Sequence, residues 1–177
     1  ASFGASYEEL GKAINDGDVE LVKTIVSSGI DINPECQSNV ICRPIAWAVL
    51  SNNLDVIIAL HELGADPNGE NAYGDTSLHY VVEEGFFDLL RPLMRLGGDI
   101  NKPNSFGISP FLAIVNAGYF EIVEFLVSNG ADINQAHQNL TSSNMASYYT
   151  PLMVAALNGH EDVVRLLIEN GANPELK

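Results

Sequence analysis

Apolar residues in this chain come in short clusters broken by glycine or asparagine, and Thr150–Asn173 shows the pattern whole. Leu152–Leu157 is an uninterrupted apolar run that stops at Asn158-Gly159. Val163, Val164, Leu166, Leu167 and Ile168 then recur among Glu161, Asp162, Arg165 and Glu169. The first cluster predicts a short helix opened by Thr150, whose hydroxyl caps unpaired N–H groups, and by Pro151, which suits a first helical position because no donor is needed there. The second predicts a helix over Glu161–Asn170, ended by Gly171, where a left-handed residue closes a helix C-terminus. A hairpin of two such helices is too small to cover its own apolar face. It needs a copy of itself on each side.

Those copies are present. The terminal glycine recurs at Gly29, Gly64, Gly97, Gly130 and Gly171, in steps of 35, 33, 33 and 41 residues. Twenty-one residues before each stand EELG (Glu8), RPIA (Arg43), TSLH (Thr76), SPFL (Ser109) and TPLM (Thr150). The break between the paired helices keeps register too, at Gly17, Asn52, Gly85, Gly118 and Gly159. A 33-residue period with a T-P-L-H-like opening resembles the ankyrin repeat. The resemblance covers nearly the whole chain as five consecutive units. It implies an all-α ankyrin-repeat solenoid of stacked helix-turn-helix units with hairpin-like finger loops. One domain over 1–177 is expected, with repeats at about 3–37, 38–70, 71–103, 104–144 and 145–177 and an extended loop at 135–149.

The departures from the repeat are informative. In the first repeat a helix over Tyr7–Asn15 sets Glu8, Glu9, Lys12 and Asn15 toward water and Leu10, Ala13 and Ile14 toward the next repeat, and Gly11 stands where the family pattern has His. The connection Ile32–Cys42 is two residues longer than the standard one and holds Cys36 and Cys42. A disulfide or half of a metal site is open to this pair, but no further ligand lies at metal spacing, and without a signal peptide in view reduced thiols are expected. The second repeat has Arg43 for Thr and Trp47 in its first helix. Pro92 falls inside the second helix of the third repeat, where a lost donor predicts a bend, read either as local weakness or as curvature. The last repeat is as apolar in its second helix as the inner ones, so its end face is expected to be partly open or to meet another surface. Eight extra residues precede it in Gln135–Tyr149, and insertions in such folds map to loops, often on the binding side. The triplet Asn139-Leu140-Thr141 matches a glycosylation sequon, a pattern common by chance.

Composition narrows the partners. Eight basic against 23 acidic residues give a net charge of −15, which repels phosphate backbones and anionic lipids, so neither nucleic acid nor membrane is an expected partner. The same acidity serves solubility alone, or attraction of a basic partner. No apolar run reaches membrane-spanning length, and the opening ASFGASYEELGKA lacks a basic region followed by an apolar core, so a cytoplasmic chain is expected. A monomer with a partly exposed C-terminal end face fits the repeat count.

Catalytic signatures are missing: no phosphate-binding glycine loop, no G-x-S-x-G, no H-E-x-x-H. The four histidines fall at unrelated repeat positions, and His79, in the T-P-L-H slot, is implied by the resemblance to tie backbone together. No enzyme activity, cofactor or metal is expected. If the resemblance holds, fingertips and the exposed side of each first helix line a concave face. Counting from the glycines places on it Val40 and Cys42; Tyr73, Asp75, Glu83 and Glu84; Phe106, Ile108, Asn116 and Ala117; Tyr149, Leu157 and Asn158. Core packing has no need of aromatics at fingertips, whereas interfaces use them as anchors; the plainer alternative is that each packs on the neighbouring finger. The expected function is binding of another protein that presents a basic and an apolar segment. A scaffold fragment of a longer array, or an enzyme with a site in the hairpin loops, are the alternatives.

Overall fold

Helix openings follow from capping chemistry. In the computed structural model, which describes residues 6–36, 42–139 and 147–176 (backbone alone at 138, 139 and 147), Ser6 and Glu9 form a reciprocal capping box at the start of α1 (Tyr7–Asp16). Asp18 caps α2 (Val19–Ser27) through Leu21 N–H. Pro44 opens α3 (Pro44–Leu50), and Asn53 caps α4 (Leu54–Glu62). At α5 (Ser77–Glu84) the cap is shared: Thr76 N–H donates to Nδ1 of the buried His79 at 3.0 Å. A 3-10 turn, Phe87–Leu89, leads into α6 (Leu90–Arg95). Ser109 caps α7 (Pro110–Ala117), and α8 (Phe120–Val127) follows. The strands β1 (His137–Asn139) and β2 (Ser147–Tyr149) come next, then α9 (Pro151–Leu157), capped by Thr150, and α10 (Glu161–Glu169). By their contacts these elements form two compact units, Ala1–Asp99 and Ile100–Lys177.

In Ala1–Asp99, α1 packs on α3 and α3 on α5, while α2 packs on α4. The core carries Leu10, Ile14, Ile45, Leu60, Leu78 and Leu93, all at or near zero exposure. Gly11 lies under Trp47, whose ring would be 4.0 Å from a Cβ there, and Tyr7 meets the same indole edge-on with centroids 6.2 Å apart. In Ile100–Lys177, α7 packs on α9 and α8 on α10 around Phe111, Ile114, Leu126 and Leu167. The turn between α7 and α8 requires glycine twice over: Gly118 has φ +73, and a Cβ would sit 2.5 Å from the His160 ring. The equivalent break before α4 is made by Asn52 at φ 49, a residue type that tolerates the left-handed region.

Neighbouring repeats within each unit are also stitched by asparagine. Asn33 Nδ2 donates to Gly64 O at 2.8 Å while its Oδ1 accepts from Asp66 N–H at 2.9 Å. Asn68 makes the same pair with Gly97 O and Asp99 N–H. In the other unit Asn101 does so with Gly130 and Asp132, and Asn134 with Gly171 and Asn173. Each amide satisfies a carbonyl that the helix end leaves open.

Two expectations change. Pro92 is third in α6, within the first turn, where N–H groups have no intrahelical partner, because the 3-10 turn delays the α-helix. Its missing N–H therefore leaves no intrahelical bond unmade. Cys36 and Cys42 are not reduced thiols but a disulfide, their Cα atoms 5.7 Å apart, within the span such a bridge allows. Val40, and Leu140 and Thr141 of the sequon, lie outside the described residues.

Candidate functional site

Two fingers are built by one local rule. Asn71 Oδ1 accepts from Tyr73 N–H at 2.8 Å and Asp75 N–H at 2.9 Å, and Asn71 N–H donates to Asp75 O at 3.0 Å. Gly74 turns the tip at φ 79. Asn104 repeats the arrangement with Phe106 N–H at 3.0 Å and Ile108 N–H at 3.1 Å, with Gly107 at φ 75. An asparagine that mimics a backbone turn in this way holds the tip without any apolar core. The tip side chains therefore point to water: Tyr73 is 38% exposed, Phe106 45% and Ile108 42%.

In Ala1–Asp99 the candidate residues are of mixed character. Glu83 and Glu84 are exposed at the end of α5. Asp75 is half-buried, and its Oδ2 accepts from Asn71 Nδ2 at 3.2 Å; the same amide donates to the Tyr80 hydroxyl oxygen at 2.7 Å. Burial pushes the Tyr80 phenol above its ordinary pKa; the Asn71 hydrogen bond opposes this, and the charges of Asp75 and Glu83 add to it. Asp75 thus takes part in holding the finger, while the two glutamates are open to an approaching cation.

In Ile100–Lys177 six of the seven sequence-derived candidates, Phe106, Ile108, Asn116, Tyr149, Leu157 and Asn158, line one groove of about 650 Å³, and Ala117 is not part of its lining. Leu157 is 73% exposed. Leu112 and Val154, from α7 and α9, supply further apolar lining. Asn158 Nδ2 joins the two helices at the polar end by donating to Asn116 Oδ1 at 3.1 Å, and His160 Nε2 contacts Asn116 O at 2.9 Å. The remaining lining residues are Gly107 and His137, the latter only 4% exposed. The sequence reading passed over it, although it stands seven residues after Gly130, as Asn71 does after Gly64 and Asn104 after Gly97. Here the inserted residues replace the short turn by a ribbon, with His137 paired to Tyr149 and Asn139 to Ser147. His137 Nδ1 lies 3.0 Å from Gly107 O, binding this ribbon to the previous finger. Burial lowers its pKa below the ordinary value, opposed by the Gly107 hydrogen bond and by the Asp132 charge.

Among the described residues no three or more His, Cys, Asp or Glu side chains gather as a metal would require, and no helix is long and apolar enough to cross a membrane. Paired helices, asparagine-turned fingers and an uncharged groove define a helical repeat protein. The family model for ankyrin repeats (three copies) matches residues 10–104 and 78–177, and the chain belongs to the ankyrin-repeat family. Ankyrin repeats generally act as protein–protein interaction modules. The chain is also 28% identical over 159 residues to Alpha-latrocrustotoxin-Lt1a of Latrodectus tredecimguttatus, a match that spans 90% of this chain and 8% of that protein.

Proposed function

We propose that this chain is a non-catalytic binding module that holds another protein on the finger and first-helix side of its repeats. The groove in Ile100–Lys177 carries the reading: Phe106, Ile108 and Leu157 are large, exposed and apolar, and together they border a concavity of the size that ligands and anchor side chains fill. Tyr73 with Glu83 and Glu84 adds an aromatic and two carboxylates suited to a basic segment. Serving as a spacer within a longer array would not require this apolar exposure. The test is quantitative affinity capture with the wild-type chain against Leu157→Asp, a change at an open position that leaves the core untouched. A partner retained by the wild type and lost from the variant is expected. The same retained proteins from both would sink the reading.

A further inference from the structure

His137, which lines the groove, carries one polar atom that is left incomplete. A carbonyl only accepts, so the contact with Gly107 O places the ring hydrogen on Nδ1, and Nε2 of the neutral ring is a bare lone pair. That Nε2 is buried and has no hydrogen-bond partner among the described residues. Buried acceptors are seldom left so, because water has been given up without replacement. Asn116 and Asn158 add an exposed pair of amides. Asn158 Nδ2 is taken up by Asn116 Oδ1 at 3.1 Å and Val154 O at 2.9 Å. Asn116 Nδ2 and Asn158 Oδ1, on exposed residues, have no partner among the described residues. A donor and an acceptor side by side match the C=O and N–H of a peptide. The lining contains no Asp, Glu, Lys or Arg, although the chain carries −15, so charge is not what this groove selects.

We propose that the groove takes an aromatic side chain bearing a hydrogen-bond donor, tryptophan or tyrosine, presented by a segment of the partner protein. The ring packs against Phe106, Ile108 and Leu157, its N–H or O–H donates to His137 Nε2, and the segment's backbone meets Asn116 and Asn158. Because Nε2 is closed to solvent, the imidazole or its neighbours shift to admit the donor. Phenylalanine and aliphatic side chains leave the acceptor unpaired and are disfavoured. This inference rests on the protein-binding reading above and names the residue that binds.

The probes are N-acetyltryptophanamide and its 1-methylindole analogue, in which a methyl group replaces the donor hydrogen. Each is titrated into the isotopically labelled chain and followed by NMR. Shifts at Gly107, Ile108, His137 and Leu157 are expected, with the methylated probe roughly tenfold weaker. Leu157→Asp should weaken both probes, and His137→Leu should erase the difference between them. If His137→Leu does not fold, N-acetyltyrosinamide against N-acetylphenylalaninamide on the wild-type chain decides, since these differ by the donating hydroxyl. Equal affinities of the two probes at the groove would overturn the donor requirement while leaving the groove a binding surface. No shift at the groove from either probe would overturn both the donor requirement and the groove.

Discussion

Leu126 and Tyr73 show how position in the repeat decides what a side chain does. Leu126 lies four residues before Gly130 and is fully buried, in the slot that Ile25, Leu60, Leu93 and Leu167 fill elsewhere. Truncating it empties volume between α7 and α8 and their stacked neighbours, so Leu126→Ala is expected to cost ~2–5 kcal/mol of stability. Tyr73 sits on a turn held by Asn71 and is 38% exposed. Tyr73→Ala should stay within about 1 kcal/mol. Denaturant melts of the two variants check the order, and a larger loss for Tyr73 would overturn the register. That register was legible in the sequence because glycine and leucine positions repeat with the period of the fold. The partners of Asn33, Asn68, Asn101 and Asn134 were not drawn from it, although Asp-x-Asn follows four of the five terminal glycines. Hydrophobic periodicity finds buried faces and says nothing of which amide reaches which carbonyl.

The elements that sequence reading placed least well are those where the period breaks. The 3-10 turn before α6 resolves Pro92 through a change of helix type that no pattern announced. The reduced-thiol expectation for Cys36 and Cys42 rested on compartment, whereas the two Cα atoms stand at bridging distance. The β1–β2 ribbon is the clearest case, since eight inserted residues hide the place of His137 until one counts forward from Gly130. Its burial makes the ribbon sensitive to acid. Depressed by burial, the folded pKa of His137 lies below the unfolded value. In the interval between them the unfolded chain binds the proton and the folded one does not, so stability rises with pH there. The contribution is complete above the ordinary histidine range and is lost as pH falls through the folded value. Melting temperatures taken from pH 7.5 down to about pH 5 should therefore decline, and His137→Gln should flatten the decline relative to wild type. Equal slopes for the two chains would remove His137 as the cause.

At the scale of the whole molecule the two units offer a partner different chemistry. The exposed carboxylates of Glu83 and Glu84 belong to Ala1–Asp99, and an uncharged groove belongs to Ile100–Lys177. The glycine register allowed both sets of residues to be named from sequence, because fingertips and helix ends keep fixed offsets from the repeat. It did not foresee that Phe106, Ile108, Asn116, Tyr149 and Leu157 would share one cavity, which depends on how α7, α9 and the inserted ribbon pack. Charge and apolar contact act on different stages of binding. Exposed carboxylates on a chain of net −15 raise the encounter rate of a basic segment over distances set by the ionic atmosphere, about 10 Å at 0.1 M salt. Aromatic anchors act after encounter, on the lifetime of the complex. With a captured partner, surface plasmon resonance at two salt concentrations should show affinity falling as salt rises, chiefly through slower association. Replacing Glu83 and Glu84 by Gln should shrink that salt dependence and leave dissociation nearly unchanged. Phe106→Ala and Tyr73→Ala should do the opposite, speeding dissociation several-fold with little effect on association. If the glutamine pair leaves the salt dependence intact, the carboxylates are a solvated face and steering originates elsewhere on this acidic chain.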